Sequence, residues 1–279
     1  MIVDAHVHIF SPDAVVDRER LRRLDPYFAE LYSSPKARMA TAEDLVAAMD
    51  ADGVDVAVAA GFGWRDHGLC HDHNAYLLDV VRRYAGRIVG LAIANPRGMG
   101  EAEKELDLAL EAGLNGVGEL MPDGPGYCIA SPAVADSLAA VARAHSVPLM
   151  LHVSEPVGHR YPGKGSVSPG QVISFAERHP DVRVVCAHWG GGLPFYELMP
   201  EVRRALVNVY YDTAAWPLLY EDRIFSVAAQ LVPGKVMFAT DFPLLSQAEA
   251  LARLRALGLD PEVERDCLAH AAERLYLRR

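Results

Sequence analysis

Met1-Ile2-Val3-Asp4-Ala5-His6-Val7-His8-Ile9-Phe10 opens the chain, and its pattern decides how the remaining residues are read. β-Branched Ile2, Val3, Val7 and Ile9 around small or polar residues predict a strand. In a regular strand alternate side chains share a face, so Asp4, His6 and His8 are expected on one side. Two imidazoles placed this way at a strand end are a ready pair of ligands for a divalent metal. A solvated surface strand is the plainer alternative. It fits poorly with Val3, Ala5, Val7 and Ile9, which give the opposite face an apolar surface to bury.

Outward from this strand the sequence settles into a rhythm. After a charged stretch from Ser11 to Ala40, expected to hold a short helix over Pro12 to Leu24, Thr41 and Asp44 predict the capped start of a helix reaching about Ala51. Apolar runs follow at Val54 to Ala60, Arg87 to Ala94, Gly116 to Leu120, Pro148 to Val153, Val182 to Ala187, Val207 to Tyr211 and Lys235 to Ala239. Each is followed by a helical segment, at spacings of about 30 residues. Runs that are apolar throughout suit parallel strands covered on both faces. Eight strand-helix units in 279 residues predict an α/β fold, a closed (β/α)8 TIM barrel. The expected organisation is one domain over residues 1–279, with 11–40 as a lid-like insertion after the first strand. No Gly-x-Gly-x-x-Gly follows an early strand, which speaks against dinucleotide binding.

Composition narrows the function classes. A net charge of −10 without a Lys/Arg-rich run disfavours nucleic acid as a partner. No apolar run approaches the roughly 18 residues that suggest a membrane span. The four cysteines are scattered and form no CxxC, and the chain enters a strand at once. The expectation is a reduced cytoplasmic protein acting on a small molecule, with a homodimer as an open option.

Polar residues recur at the strand ends, where barrels of this kind place their chemistry. His6 and His8 end the first strand, Glu119 the fourth, His152 the fifth, His188 the sixth and Asp241 the eighth. Each alone has a structural alternative: a core histidine, a paired carboxylate, or a helix N-cap for Asp241. Together they would converge on one cavity, and a cation is what makes that convergence stable. Further out, Trp64, Arg65, His67, His71 and His73 crowd the loop after the second strand and are expected to form a substrate-holding rim. Arg160, Tyr161 and Lys164 are candidates for a substrate carboxylate, with a solvated loop as the alternative. Asp212 and Trp216 are placed at the mouth, although Asp212 is equally suited to cap the next helix.

At this point the sequence resembles a known family. Asp4-Ala5-His6-Val7-His8, Leu151-His152-Val153, Ala187-His188-Trp189-Gly190-Gly191-Gly192-Leu193-Pro194-Phe195, Tyr211-Asp212-Thr213-Ala214 and Thr240-Asp241-Phe242-Pro243 are similar to motifs of the amidohydrolase superfamily. The likeness is to its branch of aminocarboxymuconate semialdehyde decarboxylase and hydrolase relatives. The resemblance implies His6, His8, His152 and Asp241 as ligands of a divalent ion, usually zinc, with manganese as an option. It also implies that His188 contacts the water or the substrate. Glu119 departs from the decarboxylase pattern. It stands where some branches place a carboxylated lysine bridging two metals and where TatD-type nucleases place a metal-binding glutamate, so one or two ions are expected.

The mechanism expected first is hydrolysis of an amide, ester or lactone, with Asp241 as general base and His188 stabilising the oxyanion. Non-oxidative decarboxylation of an unsaturated or aromatic acid is the alternative that the same groups serve.

Overall fold

The computed structural model describes residues 1–277. Eight strands run parallel: β1 (Val3–His8), β2 (Val56–Ala60), β3 (Ile88–Gly90), β4 (Val117–Leu120), β5 (Leu149–Leu151), β6 (Val184–Cys186), β7 (Val209–Asp212) and β8 (Val236–Met237). Each pairs with the next, except that the ladder thins at two places. Bridges Ala92 to Val117 and Val7 to Phe242 join those edges and close the barrel. The helices between the strands form the outer layer, as a parallel sheet requires. The regular strands are shorter than the apolar runs. His152, His188 and Asp241 therefore lie just beyond the ladder, where the chain turns away and side chains can face the barrel mouth.

Inside the barrel, Val3, Ala5, Val56, Val58, Met150, Val185 and Met237 pack together. The C-terminal helical segment caps the bottom of this core with Ala271, Ala272, Leu275 and Tyr276. Val7, Ile9, Ala57 and Ala59 belong to the outer cluster, against the helices.

Strict alternation fails at one point in β1. Its register against β2 slips by one residue between Asp4 and Val7. The extra residue of such a bulge turns the side chains after it to the other face. Val3 and Ala5 point inward before it, His6 and His8 after it. Asp4 therefore does not share a face with the histidines. It is buried in the outer layer, where it accepts bonds from Thr240 N (3.0 Å), Thr240 Oγ1 (2.6 Å) and Gln247 Nε2 (2.8 Å). Burial raises its pKa to about 6, against the opposing effect of these bonds.

A second slip, between Val117 and Leu120, delivers Glu119 to the interior. Gly118 makes it possible: its φ is +137°, and a Cβ there would stand 2.5 Å from the Met150 carbonyl oxygen.

The 11–40 stretch holds three short helices, Pro12–Val16, Arg18–Leu24 and Pro26–Tyr32. The single helix expected to Leu24 is broken at Asp17, whose φ/ψ of −84°/17° leaves the helical region. The next helix, Ala42–Asp52, opens with the expected box, Thr41 Oγ1 accepting from Asp44 N and Asp44 Oδ2 from Thr41 N. No helix among the described residues is long and apolar enough to cross a membrane.

Candidate metal centre

Glu119 lies between two pairs of histidines. Its Oε2 is 3.4 Å from both His6 Nε2 and His8 Nε2. Its Oε1 is 2.8 Å from His152 Nδ1 and 3.4 Å from His188 Nε2. Asp241 joins the first pair, with Oδ1 3.4 Å from His8 Nε2. Glu119, His6, His8 and Glu119, His152, His188 each form a triad of metal-ligating groups with donor atoms within 4.8 Å of one another.

For His6, His152 and His188 the outer partners decide which ring nitrogen faces this cluster. His6 Nδ1 is 2.9 Å from Asp212 Oδ2, a carboxylate that only accepts, so His6 donates there and keeps a lone pair at Nε2. His152 Nε2 donates to the Gly163 carbonyl at 2.8 Å, freeing Nδ1. His188 Nδ1 donates to the Ala214 carbonyl at 3.1 Å, freeing Nε2. The freed nitrogens of the second pair then face each other, His152 Nδ1 standing 3.2 Å from His188 Nε2, while His6 Nε2 lies 3.1 Å from His8 Nε2. Opposed lone pairs at that range repel unless positive charge sits among them.

The titration behaviour makes the same demand. Burial opposes charge on both His6 and His188. The Glu119 carboxylate overcomes it, holding His6 well above its usual pKa and lifting His188 to about 9. Burial would raise the Glu119 pKa, yet His6 and His152 hold it well below the carboxylate range. Without a cation, the cluster gathers protons. A divalent ion supplies the same charge and takes up the lone pairs, so these residues fit a metal.

Asp212 is the organising residue that the sequence left undecided. Fully buried, it orients His6 through Oδ2, while Oδ1 accepts from His188 N and Ala214 N, both at 3.0 Å. The short helix after it, Trp216–Leu219, has no side-chain cap. Asp212 thus serves the centre. Asp241 likewise caps no helix, because Ser246 caps the one beyond it.

Backbone geometry supports the same arrangement. His188, Trp189 and Gly190 to Gly192 run through the left-handed region, with φ from 57° to 88°. At Gly191 a Cβ would meet the Ser154 carbonyl oxygen at 2.5 Å, so only glycine lets the β5 and β6 loops approach this closely.

A cavity of about 410 Å³ opens above the cluster and is reached by His8, Glu119, His152, His188 and Asp241. Among the proposed substrate contacts, Tyr161 lines it. The others are placed elsewhere. Trp64 is 3% exposed, stacked on Phe28 at 5.1 Å and donating from Nε1 to His73 Nδ1; Phe62 lines the cavity in its stead. Trp216 is fully buried and donates to Asp222, and its neighbours Ala215, Leu218 and Leu219 form the wall. Arg160 is exposed outside the cavity, where His159 and Tyr161 on either side line it. Lys164 Nζ donates to the Val157 and His159 carbonyls, closing its own loop. His71 pairs with Glu105 on the surface, and His67 lies 3.9 Å from Glu101. Neither reaches the cavity. Leu31, Tyr32, Lys36 and Arg38, from the 11–40 stretch after β1, complete the wall. Nothing in that stretch's composition marked these four out, since a helix periodicity does not say which turn will overhang a barrel.

A closed parallel barrel with a histidine-carboxylate cluster at its strand ends defines a metal-dependent enzyme of the amidohydrolase type. The chain belongs to that family: the model of the amidohydrolase family matches residues 3–278. No curated protein matches it. Several solved structures share the fold. The 5-carboxyvanillate decarboxylase of Sphingomonas paucimobilis is 16% identical, with a TM-score of 0.79 over 99% of this chain and 98% of the other. That of Novosphingobium aromaticivorans, complexed with manganese and 4-hydroxy-3-methoxy-5-nitrobenzoic acid, is 16% identical, with a TM-score of 0.79 over 100% and 96%. The 2,6-dihydroxybenzoate decarboxylase from Rhizobium is 16% identical, with a TM-score of 0.73 over 98% of each chain.

Proposed function

We propose that this protein catalyses metal-dependent, non-oxidative decarboxylation of a small aromatic or unsaturated carboxylic acid. The observation that carries the reading is a ring-sized cavity, walled by Leu31, Tyr32, Phe62 and Met121, that ends on the ligand cluster. The decarboxylases that share its fold support it, and they favour it over the hydrolysis expected first. His6, His8, Glu119, His152 and Asp241 are the residues that would hold the ion. Bound there, a divalent ion supplies positive charge to substrate oxygens and brings the pKa of a water molecule to about 7.

The chain's own groups do the rest. The apolar wall orients the ring and excludes water from it. Asp241, facing the cavity, carries the proton to the ring carbon as its bond to the carboxylate breaks. The electron pair of that bond stays on the carbon and takes the proton, and carbon dioxide leaves. His188, fixed by Ala214 and Asp212, keeps the substrate's oxygens in register.

One feature favours a second reading, hydrolysis of an amide, ester or lactone. The two oxygens of Glu119 face different histidine pairs, so this carboxylate would be placed to help hold two ions. Asp241 would then take the proton of the attacking water.

One assay separates the readings. Protein loaded with manganese, and in parallel with zinc, is given hydroxylated benzoic acids and matched aryl esters, lactones and anilides. Carbon dioxide from the acids, with the esters, lactones and anilides untouched, is the expected result. Hydrolysis without carbon dioxide would replace the first reading by the second.

A further inference from the structure

Several arginines on the outside of the barrel pair with carboxylates, as in Arg83 with Glu43, Arg143 with Asp181, Arg178 with Asp136 and Arg253 with Asp222. Two cations line the cavity itself, Lys36 and Arg38. Among the described residues, neither Lys36 nor Arg38 is paired with a carboxylate. Arg38 makes one side-chain bond, from Nη2 to the Leu244 carbonyl at 3.2 Å, and the Lys36 ammonium makes none. Both are exposed, which places them at the solvent end of the cavity. A chain of net charge −10 thus keeps two uncommitted cations at the mouth of the cavity above the ligand cluster. A guanidinium with most of its donors unspent is suited to a planar anionic group.

The turn bearing them is held in shape from behind. Arg18 donates from Nε and Nη2 to the Tyr32 carbonyl (3.0 and 2.6 Å), from Nη2 to that of Ser34 (2.7 Å) and from Nη1 to that of Ala37 (2.9 Å). One side chain therefore ties three carbonyls of the segment that presents Lys36 and Arg38. Its guanidinium is used up in this role and lies behind the wall. Such bracing lowers the ordering cost of binding.

We propose that the 32–38 turn is an anion-recognition site, which makes the preferred substrates dianions. One carboxylate reaches the ligand cluster, an apolar body lies along Leu31, Tyr32, Phe62 and Met121, and a second anionic group meets Lys36 and Arg38. Arg18 is the positioning residue. The inference rests on the reading of the substrate as an acid, but its test reads binding rather than turnover.

Calorimetry on manganese-loaded protein compares isophthalate, terephthalate and 4-carboxycinnamate with their monomethyl esters, which keep the shape and lose one charge. At least one diacid is expected to bind about tenfold or more tightly than its ester, with the ratio shrinking as salt rises from 0.05 to 0.5 M. In Lys36→Gln/Arg38→Gln the ratio should fall close to one, and in Arg18→Ala it should fall part of the way with the melting temperature monitored. No diacid preference in the wild type, or a preference that survives the double substitution, overturns the proposal. An unchanged ratio in Arg18→Ala overturns the positioning role. Absence of carbon dioxide release would count against decarboxylation alone and would leave this ratio standing.

Discussion

The two halves of the centre are built differently. His6 and His8 come from one strand, and His6 donates its outer proton to Asp212, a buried carboxylate on β7. His152 and His188 come from two strand ends, and each donates its outer proton to a loop carbonyl, Gly163 or Ala214. A carboxylate partner makes the imidazole more basic than a neutral carbonyl does, and its bond is the stronger. A strand also holds its side chains more firmly than a loop. The first half thus has a rigid strand base and, in His6, the more electron-rich ring. In the second, His152 is set by the same 161–163 segment that lines the cavity, so substrate binding and the orientation of that ligand share one piece of backbone.

The largest effect expected is at Asp241, the group that the first half shares with the cavity. Asp241→Asn keeps the volume but loses the proton-carrying oxygen, and turnover should fall roughly 10²–10⁴-fold with the far-UV spectrum unchanged. A variant retaining more than about a tenth of wild-type turnover would remove Asp241 from the chemistry.

The contrast between the halves is tested next. Asp212→Asn should weaken manganese binding by roughly 10–100-fold, since it removes the charged partner of His6. In Gly163→Ala a Cβ would stand 2.8 Å from Leu31 Cδ2 at a φ of +88°, shifting the His152 acceptor. Manganese affinity there should drop by less than about tenfold. Equal losses by competition titration would show that strand and loop support count alike.

His73 supplies a stability effect away from the chemistry and a useful control, a buried imidazole with no carboxylate partner among the described residues. Burial first, then the neighbouring His8, lowers its pKa to about 4. The unfolded chain takes up this proton below its usual value of 6.5, whereas the folded chain resists it until about 4. Its contribution to stability is therefore complete above 6.5 and is lost as pH falls from there to 4, on the order of 3 kcal/mol. The melting temperature of His73→Gln should decline less steeply over that window than that of the wild type. Parallel declines would assign the acid sensitivity to other groups.

Much of this molecule was determined by local properties of the chain. Eight apolar runs separated by helical segments specify a parallel barrel, because continuous hydrophobicity at that spacing has few other ways to be buried on both sides. A His, Glu or Asp ending an apolar run announces itself for the same reason, since a polar group there must face the open end. The capping box at Thr41 and Asp44 is equally local, with both partners within one turn.

What the sequence could not decide depends on register and on distance along the chain. Alternation placed Asp4 beside the histidines, and only the ladder between β1 and β2 shows the extra residue that sends it outward. Trp64 and Trp216 carry the bulk expected of substrate contacts, yet neighbouring rings bury both. Lys36 and Arg38 reach the cavity because Arg18 folds their turn over the barrel. Asp212 finds His6 across 206 residues. Side-chain chemistry is written into each position, but which groups meet is settled by the closure of the barrel, which brings distant strand ends to a common mouth.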